Sequence, residues 1–224
     1  MTDPVRLTGD PAASINRPAD QGRALIFAGL LAALAGMVDA IGYLHLGGLF
    51  VSFMSGNSTQ LATAIGQGDL PEAATIAELI GLFVLGAAGG QIVARATGRW
   101  HMTWVLVGVT GLLAIAAVMA AAPEPMVFAM GALNASMHRA GNIPISLTLV
   151  TGVLVRFGQG LGDLLTRSTA GLGWLAQAAP WVGLIVGATI GSAAFLRAAE
   201  SAIWVPVALA LLLAISSAVI LRPD

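Results

Sequence analysis

The stretch "YLHLGGLFVSFMSGNSTQLATAIGQG", residues 43–68, interrupts a chain that is otherwise mostly lipid-soluble in character. It opens with a histidine and a glycine pair, continues through an extended-looking apolar run, and then places Ser55, Gly56, Asn57, Ser58 and Thr59 in succession. Five small or polar residues stand where an apolar chain would tolerate them least. In a bilayer every backbone N–H and C=O must find a partner, so non-helical chain survives there only when protein or water surrounds it. The pattern predicts extended chain followed by a helix start, with Ser55 or Asn57 as the N-cap. A helix over 56–66 would be about 16 Å long, roughly half the hydrocarbon thickness. Its N-terminus would then lie near the middle of the membrane, with its dipole and free N–H groups available to a ligand.

The rest of the 224 residues sets the class. The composition is 57% hydrophobic and 9% charged, and the mean hydropathy is +0.88. Soluble domains carry about 25% charged residues. The reading is an all-α polytopic membrane protein in which about six transmembrane helices and two broken or re-entrant elements form two inverted repeats. Apolar stretches fall at 24–44, 49–66, 74–97, 101–121, 126–140, 143–167, 174–196 and 202–221. Residues 1–22 hold Pro4, Pro11, Pro18, Gly9 and Gly22 without an apolar period and read as a disordered cytoplasmic tail. Residues 23–122 and 123–224 read as the two repeats of one integrated membrane domain.

Four blocks recur in the same order. "GMVDA" (36–40) resembles "GALNA" (131–135), so Asp39 matches Asn134. "VSFMSG" (51–56) resembles "LTLVTG" (147–152), "GAAGG" (86–90) resembles "GATIG" (187–191), and Trp104 to Val118 resembles Trp204 to Ala218. Repeats with breaks at matching places are a sequence mark of many transporters. The second break, "GNIPISLTLVTG" (141–152), alternates more like a strand, and Thr151 would cap the helix after it. Arginine sets the orientation. With the N-terminus inside and three crossings per repeat, Arg95, Arg99, Arg167 and Arg222 are cytoplasmic, and only Arg139 and Arg197 are outside. Both termini are then cytoplasmic. If all eight stretches cross, that bias nearly vanishes and the repeats become parallel; this alternative stays open on sequence.

The substrate-binding candidates are Ser52, Ser55, Gly56, Asn57, Thr59, Asn134, Thr148, Thr151, Gly152 and Arg156. The competing reading is that the hydroxyls only cap a helix and the glycines only allow close packing. Asp39, an acid within "LAGMVDAIGYL", is the candidate proton-coupling group, because an ionisable residue at such depth usually marks a pathway or a partner. The alternative is a structural pair with Arg156. An arginine beside a helix N-terminus would favour an anion. His138 and Arg139 flank the second break. Gly86, Gly90, Gly183, Gly187 and Gly191 read as helix-packing glycines, used between the halves or in a homodimer.

Several classes are excluded or disfavoured. There is no cysteine, hence no thiolate chemistry. Three scattered histidines do not suggest a metal site, and no cofactor is expected. A net charge of −1 gives no basic face for nucleic acid. No catalytic motif appears, so the chain is not read as an enzyme. An intramembrane hydrolase and a non-transporting binding or assembly protein remain as alternatives. The expected partners are the lipid bilayer and a small-molecule or ionic substrate. The Ala- and Gly-rich bias points to a bacterial cytoplasmic (inner) membrane.

The segments 36–62 and 130–161, with the Gly-rich helix at 81–94, resemble the YoaK family of small bacterial integral membrane proteins. The resemblance covers roughly 24–221 and implies about six transmembrane segments and a transporter role without an assigned substrate.

Overall fold

A computed structural model describes residues 18–137, 150–166 and 178–220. Eight α-helices are described: α1 (Pro18–His45), α2 (Met54–Gln67), α3 (Leu70–Thr97), α4 (His101–Val118), α5 (Pro123–Met137), α6 (Val150–Leu165), α7 (Ala179–Ala198) and α8 (Trp204–Ile220). Short 3₁₀ turns at Gly98–Trp100 and Ala199–Ile203 join α3 to α4 and α7 to α8. No strand occurs among the described residues. The extended run expected around 49–55 is instead a series of bends, with a helix starting at Met54.

Three continuous helical runs are long and apolar enough to cross a membrane: Leu25–His45, Leu70–Val118 and Ala179–Val219. At 49 and 41 residues the last two are about twice the length one crossing needs, and each contains two helices. The chain is an all-α polytopic membrane protein. Large side chains such as Val84, Leu85, Ile92, Leu196 and Leu212 face outward, as a lipid solvent permits. The buried core gathers Leu31, Leu34 and Ile41 of α1, Leu106 and Leu113 of α4, Met130 and Leu133 of α5, and Leu213 of α8. Helix α1 begins at Pro18, within the segment expected to be a disordered tail. Proline suits a first helical position, where its fixed φ is already helical and its missing N–H would have no partner.

Glycine decides which helices pair. Helix α1 packs on α7 and α3 on α5. A Cβ on Gly183 would strike the carbonyl of Gly29, one on Gly187 that of Ala33, and one on Gly191 would lie 2.5 Å from that of Met37. The contact advances four residues at a time on both helices, so α1 and α7 run parallel. Gly86 lies against Phe128, Gly90 against Ala132 and Gly131 against Phe83, so α3 and α5 are parallel too. Backbones this close gain dispersion contacts that replace the absent hydrophobic drive between helices in lipid. The two glycine contacts join helices of different sequence halves.

Helix directions follow from three further contacts. Thr103 Oγ1, near the start of α4, lies 3.0 Å from Ser217 Oγ, near the end of α8, so these two packed helices are antiparallel. A Cβ on Gly42, near the end of α1, would lie 3.8 Å from Met126 Cε at the start of α5. The rings of His45 and Phe195, at the ends of α1 and α7, are 6.2 Å apart. The segments that match by sequence, α4 with α8 and α1 with α5, therefore run in opposite directions.

The glycine contacts separate two kinds of substitution. Gly187→Leu should cost at least about 1–3 kcal/mol, because backbone rather than a movable side chain blocks it. Gly108→Ala meets nothing within 4 Å and should be neutral or slightly stabilising. Thermal unfolding of the purified variants in one detergent checks both; similar losses for the two would remove the parallel α1–α7 contact from the account.

Candidate functional site: a re-entrant hairpin tied to Asp39

After α1 ends at His45, the chain turns at Gly47 and Gly48, both at positive φ (63° and 110°), and doubles back along α1. It arrives beside Asp39. Val51 N and Ser52 N donate to Asp39 Oδ1 at 2.8 and 2.7 Å, and Ser52 Oγ donates to Oδ2 at 2.6 Å. One carboxylate thus satisfies two backbone N–H groups of non-helical chain and one hydroxyl. Each such bond contributes about 0.5–1.5 kcal/mol net, and a buried N–H left without its acceptor costs about 1–3 kcal/mol. The bond between the residues is indifferent to sequence at position 51, since only its backbone is used.

Asn57 holds the same segment from the other side. Its side-chain oxygen accepts from Phe50 N at 2.9 Å and its amide donates to Phe50 O at 2.7 Å. Gln60 Nε2 donates to Gly48 O at 2.9 Å. Residue 57 is thus level with 50, and 60 with 48. Helix α2 climbs back toward the end of α1 beside the chain that descended from it. It ends at Gly68, in the left-handed region (φ 77°), whose N–H bonds Ile65 O while Asp69 N bonds Ala64 O. Asp69 then caps α3 by accepting from Glu72 N at 3.1 Å. The segment 46–67 is a re-entrant hairpin that returns to the side it left.

Several sequence expectations change here. The N-cap of α2 is Phe53, with no side-chain cap bond, rather than Ser55 or Asn57. Asn57 is turned back to Phe50, and the first N–H groups take backbone acceptors: Met54 N bonds Ser52 O, and Gly56 N and Asn57 N bond Phe53 O. Three donors expected to face a ligand are already in use. Asp39 precedes His45 by six residues, so the chain beside it lies about 9 Å of helix below the end of α1.

The remaining candidates scatter. Ser52 and Asn57 are buried, while Ser55 and Thr59 are exposed on α2. Thr59 donates to Ser55 O, and Ser58 and Thr63 likewise donate to Met54 O and Thr59 O. Gly56 lies under Phe53 and Phe50, where a Cβ would come within 2.6 Å of the Phe53 ring. Tyr43, Phe50 and Phe53 form a chain of ring contacts at 4.9 and 5.2 Å over the outside of the turn. Asn134 is buried in α5 and donates to Met130 O at 2.9 Å. Arg156 is exposed on α6 and makes no ion pair with Asp39, so backbone N–H groups take the role expected of that arginine. Gly152 lies half-buried in α6. Thr148, the side chain of Thr151, His138 and Arg139 lie outside the described residues, as does the chain that would bring the second break toward the first. No group of three or more potential metal ligands occurs among the described residues.

Sequence reasoning missed Gln60 as a tie and the Thr103–Ser217 pair between α4 and α8. The signal for Ser217 was present: "AISSA" interrupts the most apolar helix of the chain.

A polytopic helical membrane protein with glycine-paired helices and a re-entrant hairpin is the class defined so far. Residues 27–216 match the family described as "Protein of unknown function (DUF1275)", and the chain belongs to that family. It is 40% identical over 203 residues to a UPF0700 transmembrane protein of Rhizobium meliloti (strain 1021), covering 88% of this chain and 86% of that one. No solved structure matches it.

The Asp39 tie has a direct test. Asp39→Leu roughly keeps the size of the side chain and removes both acceptor oxygens, and Ser52→Ala removes one of three donors. Hydrogen–deuterium exchange at residues 50–53 should quicken strongly in the first variant and modestly, by about 1 kcal/mol or less in opening free energy, in the second. Unchanged exchange in Asp39→Leu would mean that the tie does not hold the turn.

Proposed function

We propose that this protein is a transporter or channel for a small polar solute, and that the hairpin 46–67 is the element that admits it. One observation carries the reading: non-helical backbone is held inside the membrane domain by a dedicated carboxylate. Irregular chain at depth is costly unless it lines a protected or watered path, and re-entrant or broken helices are how many transporters form their sites. The exposed hydroxyl face of α2, with Ser55, Ser58, Thr59 and Thr63, is the lining we assign to that path. Arg156 is the cation that would favour an anionic solute. Asp39 is the group through which protonation would couple to the path, since a neutral carboxyl would hold the turn less firmly than a carboxylate.

The proposal includes an origin by duplication. The four matched sequence blocks and the opposed directions of their helices support two inverted halves, with six crossings and two re-entrant elements. On this reading the protein sits in the bacterial inner membrane with both termini in the cytoplasm. No enzymatic step, cofactor or metal forms part of it.

Two experiments test the reading. The protein lacks cysteine, so single cysteines at positions 69 and 98 report sidedness cleanly. A membrane-impermeant thiol reagent on intact cells should label 69 and spare 98; the reverse pattern defeats the six-crossing arrangement. Proteoliposomes loaded with fluorescent reporters for small anions should then show uptake that Arg156→Gln and Thr59→Phe reduce at least several-fold. If purified protein moves no solute yet copurifies with one partner, the assembly reading replaces transport.

A further inference from the structure

Where α1 and α7 approach through Gly29 and Gly183, their side chains leave an open groove of about 470 Å³. Its floor is made of small residues, Gly29, Ala33 and Gly183, because the two backbones meet there. Its walls are Ile26, Val182 and Val186, all exposed, at 66, 49 and 49%. Among the described residues no polar side chain lines it. The same glycines that pair the helices therefore cut a trough into the outer surface of the pair. A narrow, wholly apolar trough on a lipid-facing surface matches a single hydrocarbon chain.

An arginine lies on α1 about one turn beyond the trough. Arg23 stands three residues before Ile26, on the same face of α1 and one turn nearer its start, and it is exposed. Gly22 beside it leaves open space. A guanidinium at that place fits a phosphate by paired hydrogen bonds. An apolar slot continued by one cation is the complement of an anionic phospholipid: chain in the slot, headgroup on the arginine.

We infer that the α1–α7 groove is a binding site for one acyl chain of an anionic phospholipid, drawn from the leaflet at which α1 begins, with its phosphate on Arg23. The close glycine contact would then be flanked by a resident lipid rather than by exchanging bulk lipid. The groove lies along the first half of α1, from Ile26 to Ala33, whereas the hairpin is tied to α1 at Asp39, nearer its end.

The test uses the full chain in nanodiscs of phosphatidylglycerol and phosphatidylcholine in equal parts, extracted into mild detergent and weighed by native mass spectrometry. The wild type should keep one phosphatidylglycerol in preference to phosphatidylcholine. Arg23→Gln should lower that preference about fivefold, the effect of roughly 1 kcal/mol from one basic residue near the surface. Ala179→Leu, which fills the slot and leaves Arg23 in place, should reduce retention of both lipids; its unfolding temperature shows whether the helix pair is intact. A phosphatidylglycerol carrying a photoreactive acyl chain should label Ile26 or Val182. Equal lipid retention by wild type and Arg23→Gln, or labelling spread evenly around the helices, overturns the site. A disulfide between copies through cysteines at position 26 gives the groove to a second molecule of this chain, and a rise in retention on deleting residues 1–17 gives it to the chain's own N-terminal segment; either overturns the lipid assignment.

Discussion

A backbone N–H in hydrocarbon must have an acceptor, and the hairpin 46–67 exists because Asp39 supplies one. Two consecutive amides at Val51 and Ser52 point at a single carboxylate oxygen, and the Ser52 hydroxyl takes the other. Asn57 satisfies both backbone groups of Phe50, as a neighbouring strand would. Gln60 takes the carbonyl of Gly48. Three side chains thus replace the partners that the chain loses by leaving the helix. Without them the bends at 47–53 would expose polar backbone to lipid, and the chain would do better as continuous helix.

The second constraint is close approach. In lipid, apolar side chains gain little by meeting each other instead of acyl chains, so helix pairing depends on how near two backbones can come. Gly183, Gly187 and Gly191 bring α7 onto α1, and Gly86, Gly90 and Gly131 bring α3 and α5 together. Each pair draws one helix from each sequence half. Helix α2 packs on α3 while its approach segment is tied to α1, so the hairpin links one glycine pair to the other.

Much of this was legible in the chain. Apolar stretches gave each of the eight described helices, with ends off by up to seven residues, since 20 lipid-soluble residues in a row have few alternatives. Of the five residues read as out of place, Ser55 to Thr59, Asn57 holds the turn; Asp39 and Ser52, read as proton-coupling and substrate-binding candidates, and Gln60 supply the other ties. Their partners were not legible. Asp39 could have met Arg156, water or backbone, and nothing local to position 39 names the amides of residues 51 and 52. The N-cap of α2 was misread for a related reason: serine and asparagine favour caps in isolation, but Asn57 has a stronger use in pairing with Phe50. The extended chain expected before α2 is irregular instead, with bends at 51 and 52 held by side chains that lie elsewhere in the sequence.

The sequence by itself determined the solvent of this protein, its helical class, the position of its first break and which small residues could serve as contacts, because hydropathy, segment length and residue size are local properties. Only the tertiary structure decided that the first break returns to the side it left, that Asp39 serves backbone amides rather than an arginine, and that the glycines pair helices across the halves in parallel. Those outcomes depend on which groups meet across long separations in the chain. A hydrogen bond or a backbone contact is specified by both partners, and the sequence shows them only one at a time.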